Sequence, residues 1–275
     1  MPNAFNTSVI EEFRANAGRV GGPFEGARLI LLTTTGARTG KPHTSPVGYL
    51  PDGDRILVIA SAGGSPRHPD WYHNLVAEPR VTVEDGIFTY TATAVVLPPD
   101  ERDAAFARAV EADPGWAQYQ RSTTRTIPVV ALEQAPTGPP VFNAATPGGA
   151  LTAVHDAFRR ELATIRRELD GAGPALGAQL RVNCLTVCTG LTHHHRMEDG
   201  GLFARLRETH PHLGPVVDRL HAEHERVAEL VAQLRTAVAG TDPHTVRRDV
   251  DRLVLELEAH LAYEEEQLVP ILDAV

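Results

Sequence analysis

The chain has 275 residues, 42% hydrophobic and 22% charged, with a formal net charge of −9. That length leaves room for two domains with cores of their own, and an acidic balance with no Lys/Arg block excludes a nucleic-acid partner, whose binding rests on phosphate neutralisation. No apolar run approaches the ~20 residues that span a bilayer, and the opening MPNAFNTSVIEEF lacks the basic start and apolar stretch of a secretory signal, so a cytoplasmic protein is expected.

The first half reads as mainly β. A helix is predicted over 7–17. The segments ARLILLTTTG, RILVIAS, RVTVEDGIFTYTATAVVL and TIPVVAL are short, rich in β-branched residues and bounded by Gly, Pro and Asp, as strands are. A second helix is predicted over 100–112, where PPDE supplies proline and an acidic first turn. The loop TTTGARTGKPH combines Gly turns, hydroxyls and the cations Arg38 and Lys41, which suits phosphate. It departs from the Walker and GxGxxG spacings, so a solvated hairpin turn stays open beside that reading. A second loop, ASAGGSPRHPDWYHNL, ends in aromatics able to cover a flat ring. His43, His68 and His73 fall in loop-like segments and are read as surface residues. No Ser/His/Asp or Cys/His arrangement offers a nucleophile.

Residues 134–147 concentrate proline and glycine without apolar rhythm and are expected to be a linker. Ten of the thirteen histidines lie after residue 150. There, four segments carry apolar stripes at steps of three and four. The first runs through His155. The second runs Leu180, Cys184, Val187, Leu191, His194, Glu198, Leu202, choosing His194 over His193 and His195. The third holds His224 with His221 at its flank, and the fourth holds His260 and Glu264. Cys184 and Cys188, four apart on one helix, suit neither a disulfide framework nor a CxxC site and read as small buried residues.

Four inward imidazoles and two inward carboxylates would be costly unless something satisfied them. Imidazole with carboxylate and no thiolate suits non-haem iron or manganese better than structural zinc. Six ligands are too many for one ion that keeps an open position. They suit two ions bridged by Glu198 and Glu264.

The segments HHHRMEDGGLF, LHAEHERV and HLAYEEEQLVPIL resemble the hemerythrin HHE cation-binding family over about residues 148–275. The resemblance implies an antiparallel four-helix bundle with an oxo- or hydroxo-bridged di-iron centre, its ligands falling on His155, His194, Glu198, His224, His260 and Glu264. Oxygen carriers of that family have a His pair four apart in the third helix, where this chain has His221 and His224 three apart. That departure counts against seven-ligand oxygen carriage and leaves His221 as an outer partner, with Glu265 and Glu266 on a solvated face.

The segments LLTTTGARTGKPHTSPVGYL, ASAGGSPRHPDWYHNL, DPGWAQYQ and TIPVVAL resemble the deazaflavin-dependent nitroreductase family from about residue 27 to 133. The resemblance implies a split β-barrel of the FMN-binding kind that uses the deazaflavin coenzyme F-420 as hydride donor. It places Arg38, Thr39 and Lys41 at the coenzyme's anionic tail, Ser61, Ala62, Gly63, Gly64 and Trp71 along its ring, and Trp116 and Tyr119 at the substrate. Asp113 stands at a third substrate position that is tyrosine in nitroimidazole reducers, so a quinone or a biosynthetic intermediate is an open alternative substrate.

The expectation is an α+β multidomain chain: a split barrel over 1–133, a linker over 134–147 and a di-iron bundle over 148–275. It would be an oxidoreductase acting on a small molecule, with dioxygen as a further partner and a homodimer as an open arrangement. A sensing or binding protein without turnover, and a di-iron oxygenase of a nitrogen-containing metabolite, stand as alternatives.

Overall fold

The computed structural model describes residues 4–136, 140–240 and 242–274. They divide into two compact units, 1–143 and 144–275.

In the first unit the strands β1 (Leu29–Thr35), β2 (Pro42–Asp52), β3 (Arg55–Ile59), β4 (Arg80–Glu84), β5 (Phe88–Val96) and β6 (Val129–Gln134) pair antiparallel in the order β4-β1-β2-β3-β6-β5. Pairing of β5 with β4, Val83 opposite Tyr90, closes them into a six-stranded barrel. Alternation decides which side chains enter it. Ile30, Leu32, Val58, Val83, Val130 and Leu132 fill the interior. Leu29 and Leu31 face outward beneath helix α1 (Ala4–Ala15), against Val9 and Phe13. Leu57, Ile59, Val129 and Ala131 lie beneath a second covering helix, with its Ala105, Phe106 and Ala109. Strands covered on both faces explain why these segments read as nearly unbroken apolar runs.

The sequence predicts two helices in this half, and the described residues form four α-helices. Beside α1 and the covering helix α3 (Pro99–Ala112) stand α2 (Asp70–Ala77) and α4 (Gly115–Arg121). Each is about two turns long, too short for an apolar stripe to register. Within the stretch expected to be a linker, β7 (Val141–Phe142) pairs with β5, and the Phe142 and Phe88 rings lie 4.6 Å apart. Two apolar residues suffice there to extend the sheet. Residues 137–139 of that stretch lie outside the described residues.

The second unit is helical. Helices α5 (Pro147–Asp170) and α6 (Ala178–Met197) are followed by a π turn (Glu198–Leu202) that leads into α7 (Phe203–Thr209), then α8 (Gly214–Gly240) and α9 (Pro243–Leu272). Helix α5 adjoins α6 and α9, and α8 adjoins the same two, giving a four-membered bundle. Thr146 caps α5 through the Gly149 N–H at 3.1 Å, with proline at the first helical position.

Two apolar clusters occupy the bundle. One gathers Leu162, Ile165, Leu191, Val227, Leu257 and Leu261 among others; the other gathers Leu151, Phe203, Leu220 and Leu268. The long helices pass from one cluster to the other. The buried His155, His195, Glu198, His224, His260 and Glu264 lie at that transition. Among the described residues no helix is long and apolar enough to cross a membrane.

Candidate functional sites

The buried polar layer of the bundle resolves into two groups. His155, His194, Glu198 and Glu264 present ligand atoms within 4.8 Å of one another, and so do His195, His224 and His260. The carboxylates join the groups. Glu198 Oε1 lies 3.2 Å from His194 Nε2 while its Oε2 lies 3.6 Å from His224 Nε2. Glu264 Oε2 lies 3.5 Å from His155 Nε2 and 3.6 Å from His260 Nε2. Adjacent ligands around one ion, at metal bonds of about 2.1 Å, stand roughly 3 Å apart or slightly more.

Whether the cage fits a metal is decided by its unsatisfied atoms. The Nε2 atoms of all five histidines and all four oxygens of Glu198 and Glu264 are buried without a hydrogen-bond partner. An orphaned buried polar atom costs roughly 1–3 kcal/mol, so nine of them would together match or exceed the roughly 5–15 kcal/mol by which a domain is stable. A cation offers every one of these lone pairs a partner.

The opposite ring nitrogens are held from outside. His155 Nδ1 lies 2.8 Å from Glu265 Oε1, which also accepts from Arg159 Nη1 at 2.8 Å. His224 Nδ1 lies 2.8 Å from Asp199 Oδ1, an oxygen that His221 Nδ1 approaches equally closely. His260 Nδ1 lies 3.0 Å from Glu223 Oε2, and Arg219 Nε donates to the other oxygen at 2.7 Å. A carboxylate can only accept, so each Nδ1 carries the hydrogen and each Nε2 turns a lone pair inward.

Electrostatics agree. Burial, reinforced by neighbouring imidazoles, lowers His194 to about 3. Burial also lowers His260 to about 4, its contact with Glu223 acting in the opposite direction. His155, His195 and His224 are lowered too, burial again being the largest cause. Glu198 and Glu264 are raised by burial and then by surrounding carboxylates. Against a burial penalty, hydrogen bonds with His155 and Arg159 bring the Glu265 carboxyl down to about 2. Without a cation the cage favours neutral imidazoles and protonated carboxyls. A bound cation reverses the preference of the carboxyls.

The six residues singled out by the stripes all reach this cage. His195 joins them, although the second stripe passes it over. It is buried and stacks on the His224 ring at 4.1 Å. A parallel line, Cys188, Leu191, His195, carries the signal, since Cys188 and Leu191 are fully buried. Glu265 likewise departs from the solvated face expected for it, because it holds His155. His221 takes the outer place expected of it.

On the barrel, the turn between β1 and β2 exposes Arg38, Thr39 and Lys41. It is closed by Gly36 N–H to the Lys41 carbonyl at 2.8 Å, and Thr39 Oγ1 accepts the Lys41 N–H at 3.3 Å. Asn74 of α2 anchors it, accepting from Ala37 N–H and donating to Thr34 Oγ1, both at 3.0 Å.

Trp71 lies in the first turn of the same helix, half-buried against the barrel interior. After β3 the chain turns at Ser61 into three left-handed residues, Ala62 (φ 48°), Gly63 (φ 62°) and Gly64 (φ 80°). Only glycine takes that region freely, so Ala62 is strained by about 1 kcal/mol. A side chain at Gly64 would come within 3.0 Å of the Tyr119 carbonyl, so this turn rests directly on α4. Trp116 and Tyr119 stand there with rings 5.9 Å apart and nearly perpendicular. Asp113 is occupied in starting α4, its Oδ1 accepting the Gly115 N–H at 2.8 Å.

His43 and His73 are exposed as expected, but His68 is half-buried beside Arg125, 3.0 Å from its guanidinium. Nothing in the sequence marks Arg125, because a single cation before an apolar strand has no spacing to distinguish it.

Comparison with known proteins places both halves. Residues 7–134 match the family model for F420H(2)-dependent quinone reductase, and residues 146–272 match the hemerythrin HHE cation binding domain. An F420H(2)-dependent quinone reductase of Mycobacterium tuberculosis is 40% identical over 124 residues, spanning 44% of this chain and 83% of that protein. The chain belongs to the F420H(2)-dependent quinone reductase family. A Mycobacterium bovis relative described by the same activity matches with the same identity and coverage. A solved F420-H2 dependent reductase is 41% identical, covering 38% of this chain and 94% of that one at a TM-score of 0.36. The family description names quinones where the sequence resemblance is to nitroreductases. In this member of the quinone reductase family, a metal-binding HHE domain follows the reductase domain in one chain.

Proposed function

We propose that the chain is an oxidoreductase in which an F-420-dependent barrel reduces a quinone-type molecule and the bundle holds two iron ions for redox or oxygen chemistry. The nine orphaned lone pairs of the bundle carry the metal half of this reading. His155 and His194 would hold one ion, and His195, His224 and His260 the other, with Glu198 and Glu264 shared between them. The first group would then offer one protein donor fewer than the second, leaving more room there for a small exogenous ligand. The iron pair, when formed, supplies electron exchange and an open coordination position, and the coenzyme, when bound, supplies a hydride.

The protein's own part is binding, orientation and exclusion of water. Glu265, Asp199 and Glu223 keep hydrogens on the outer nitrogens of His155, His224 and His260, so those rings cannot turn away from the cage. The apolar clusters on either side keep the polar layer dry. On the barrel, Arg38, Thr39 and Lys41 are presented to the anionic tail of the coenzyme, which is attracted to cations on a closed turn. Ser61, Ala62, Gly63, Gly64 and Trp71 would line its ring. Trp116 and Tyr119 would offer flat apolar faces to a quinone.

The test is metal analysis with an absorption spectrum of the full chain purified in air, followed by turnover with reduced F-420 and menadione. About two irons per chain and coenzyme-dependent loss of the quinone are expected. One zinc, or no metal, overturns the bundle half; no quinone reduction overturns the barrel half. Reversible oxygen binding without turnover would instead favour a sensor.

A further inference from the structure

Arg125 spends its side chain on the loop after β3. Its Nε donates to the Ser65 carbonyl at 2.9 Å, and its Nη2 donates to the carbonyls of Ala60 at 3.0 Å and Ser61 at 2.7 Å. Its Nη1 meets His68 Nδ1 at 3.0 Å. The three carbonyls bracket the left-handed residues 62–64, so one planar group pins both ends of the turn. The backbone N–H groups of Ala62 and Gly63 make no hydrogen bond among the described residues and stay available on the exposed side.

We propose that Arg125 is a positioning residue of the reductase half, holding the 61–64 turn in its left-handed form and fixing His68 as the neutral tautomer with hydrogen on Nε2. The proposal rests on the coenzyme reading for its consequence, though not for its geometry. A guanidinium donates and never accepts, so His68 Nδ1 must accept. An imidazolium, or the tautomer with hydrogen on Nδ1, would point hydrogen at hydrogen. His68 thereby becomes a fixed donor beside the Tyr72 ring, 4.7 Å away.

The clamp is itself anchored. The Arg125 carbonyl accepts from Gln120 Nε2 at 2.8 Å, and Gln120 Oε1 accepts from Ile127 N–H and from Arg102 Nη2, both at 3.0 Å. Gln120 belongs to α4, so the helix that carries Trp116 and Tyr119 and the turn that would line the ring are set by one hydrogen-bonded unit. A strained residue such as Ala62 persists only where its surroundings over-determine it. Lysine cannot replace this function, because a single ammonium cannot span three carbonyls and a ring in one plane.

The experiment uses the full-length protein and its Arg125→Lys variant. Nitrogen-15 spectra of labelled histidine report the His68 tautomer, amide shifts report residues 60–65, and quenching of F-420 fluorescence gives the Kd of the coenzyme. In the variant, His68 is expected to become a mixture of tautomers, the amides of 60–65 to move, and Kd to rise roughly tenfold or more. An unchanged tautomer together with a Kd within about twofold of the parent overturns the proposal. Wild-type His68 with hydrogen on Nδ1 or on both nitrogens overturns it as well, even if the lysine variant fails to fold. If wild-type protein leaves F-420 fluorescence unchanged, the coenzyme reading is lost, and the tautomer and amide shifts still decide the role of Arg125.

Discussion

His194 and His195 are adjacent in sequence and join different groups of the cage, their rings 5.4 Å apart. A stripe drawn as one line picks a single residue per turn, whereas a core wide enough for two groups of ligand atoms accepts two neighbours that straddle the line. The six stripe residues were legible because burying imidazole and carboxylate demands a common partner. Glu223, Asp199 and Glu265 were not, since a carboxylate gripping a ring from outside looks like any charge on a helix surface. Removing one ligand should empty one half of the cage: His195→Ala is expected to lower iron from about two to about one per chain by elemental analysis, and His193→Ala to leave it unchanged. Glu265→Gln should weaken metal retention about 10–100-fold in competition with a chelator. The carboxyls give a pH dependence of definite sign. In the metal-free chain, raised Glu198 and Glu264 contribute stability that is complete below about 4.3 and is lost as pH rises through their folded values. The lowered histidines contribute stability above about 6.5 that is lost as pH falls through theirs. Metal-free protein should therefore melt at a lower temperature at pH 9 than at pH 6, and loading should release about two protons near neutrality, measurable in weakly buffered solution.

Among the elements, the long ones were readable and the short ones were not. Strands buried on both faces and helices of three or more turns repeat their pattern enough to be seen. Helices α2 and α4, of eight and seven residues, do not, although they carry Trp71, Trp116 and Tyr119. The π turn at Glu198–Leu202 was equally hidden, because a stripe of threes and fours passes through it without a break. It widens the turn that joins α6 to α7 just where Glu198 enters the cage and Asp199 reaches His224. The caps are separable from the chemistry. Thr146→Ala should lower the stability of the bundle by about 1 kcal/mol in denaturant titration while leaving metal content unchanged.

At the scale of the whole chain, the reductase match and the HHE match together account for nearly all described residues, and the division into units falls between them. Each unit has its own core, so each should lose structure for its own reasons. Removing metal from the full-length protein with a chelator is expected to lower one melting transition in calorimetry and leave a second, barrel transition in place; a single transition that shifts as a whole would contradict this. The cage also lies between two apolar clusters rather than at the end of the bundle. Ions seated there would be shielded by apolar side chains along the bundle, so exchange with solution would pass sideways between the helices. The lifetime of the loaded state is then a clock for the breathing of α5 against α9, and iron lost slowly in a chase experiment would measure how seldom that seam opens.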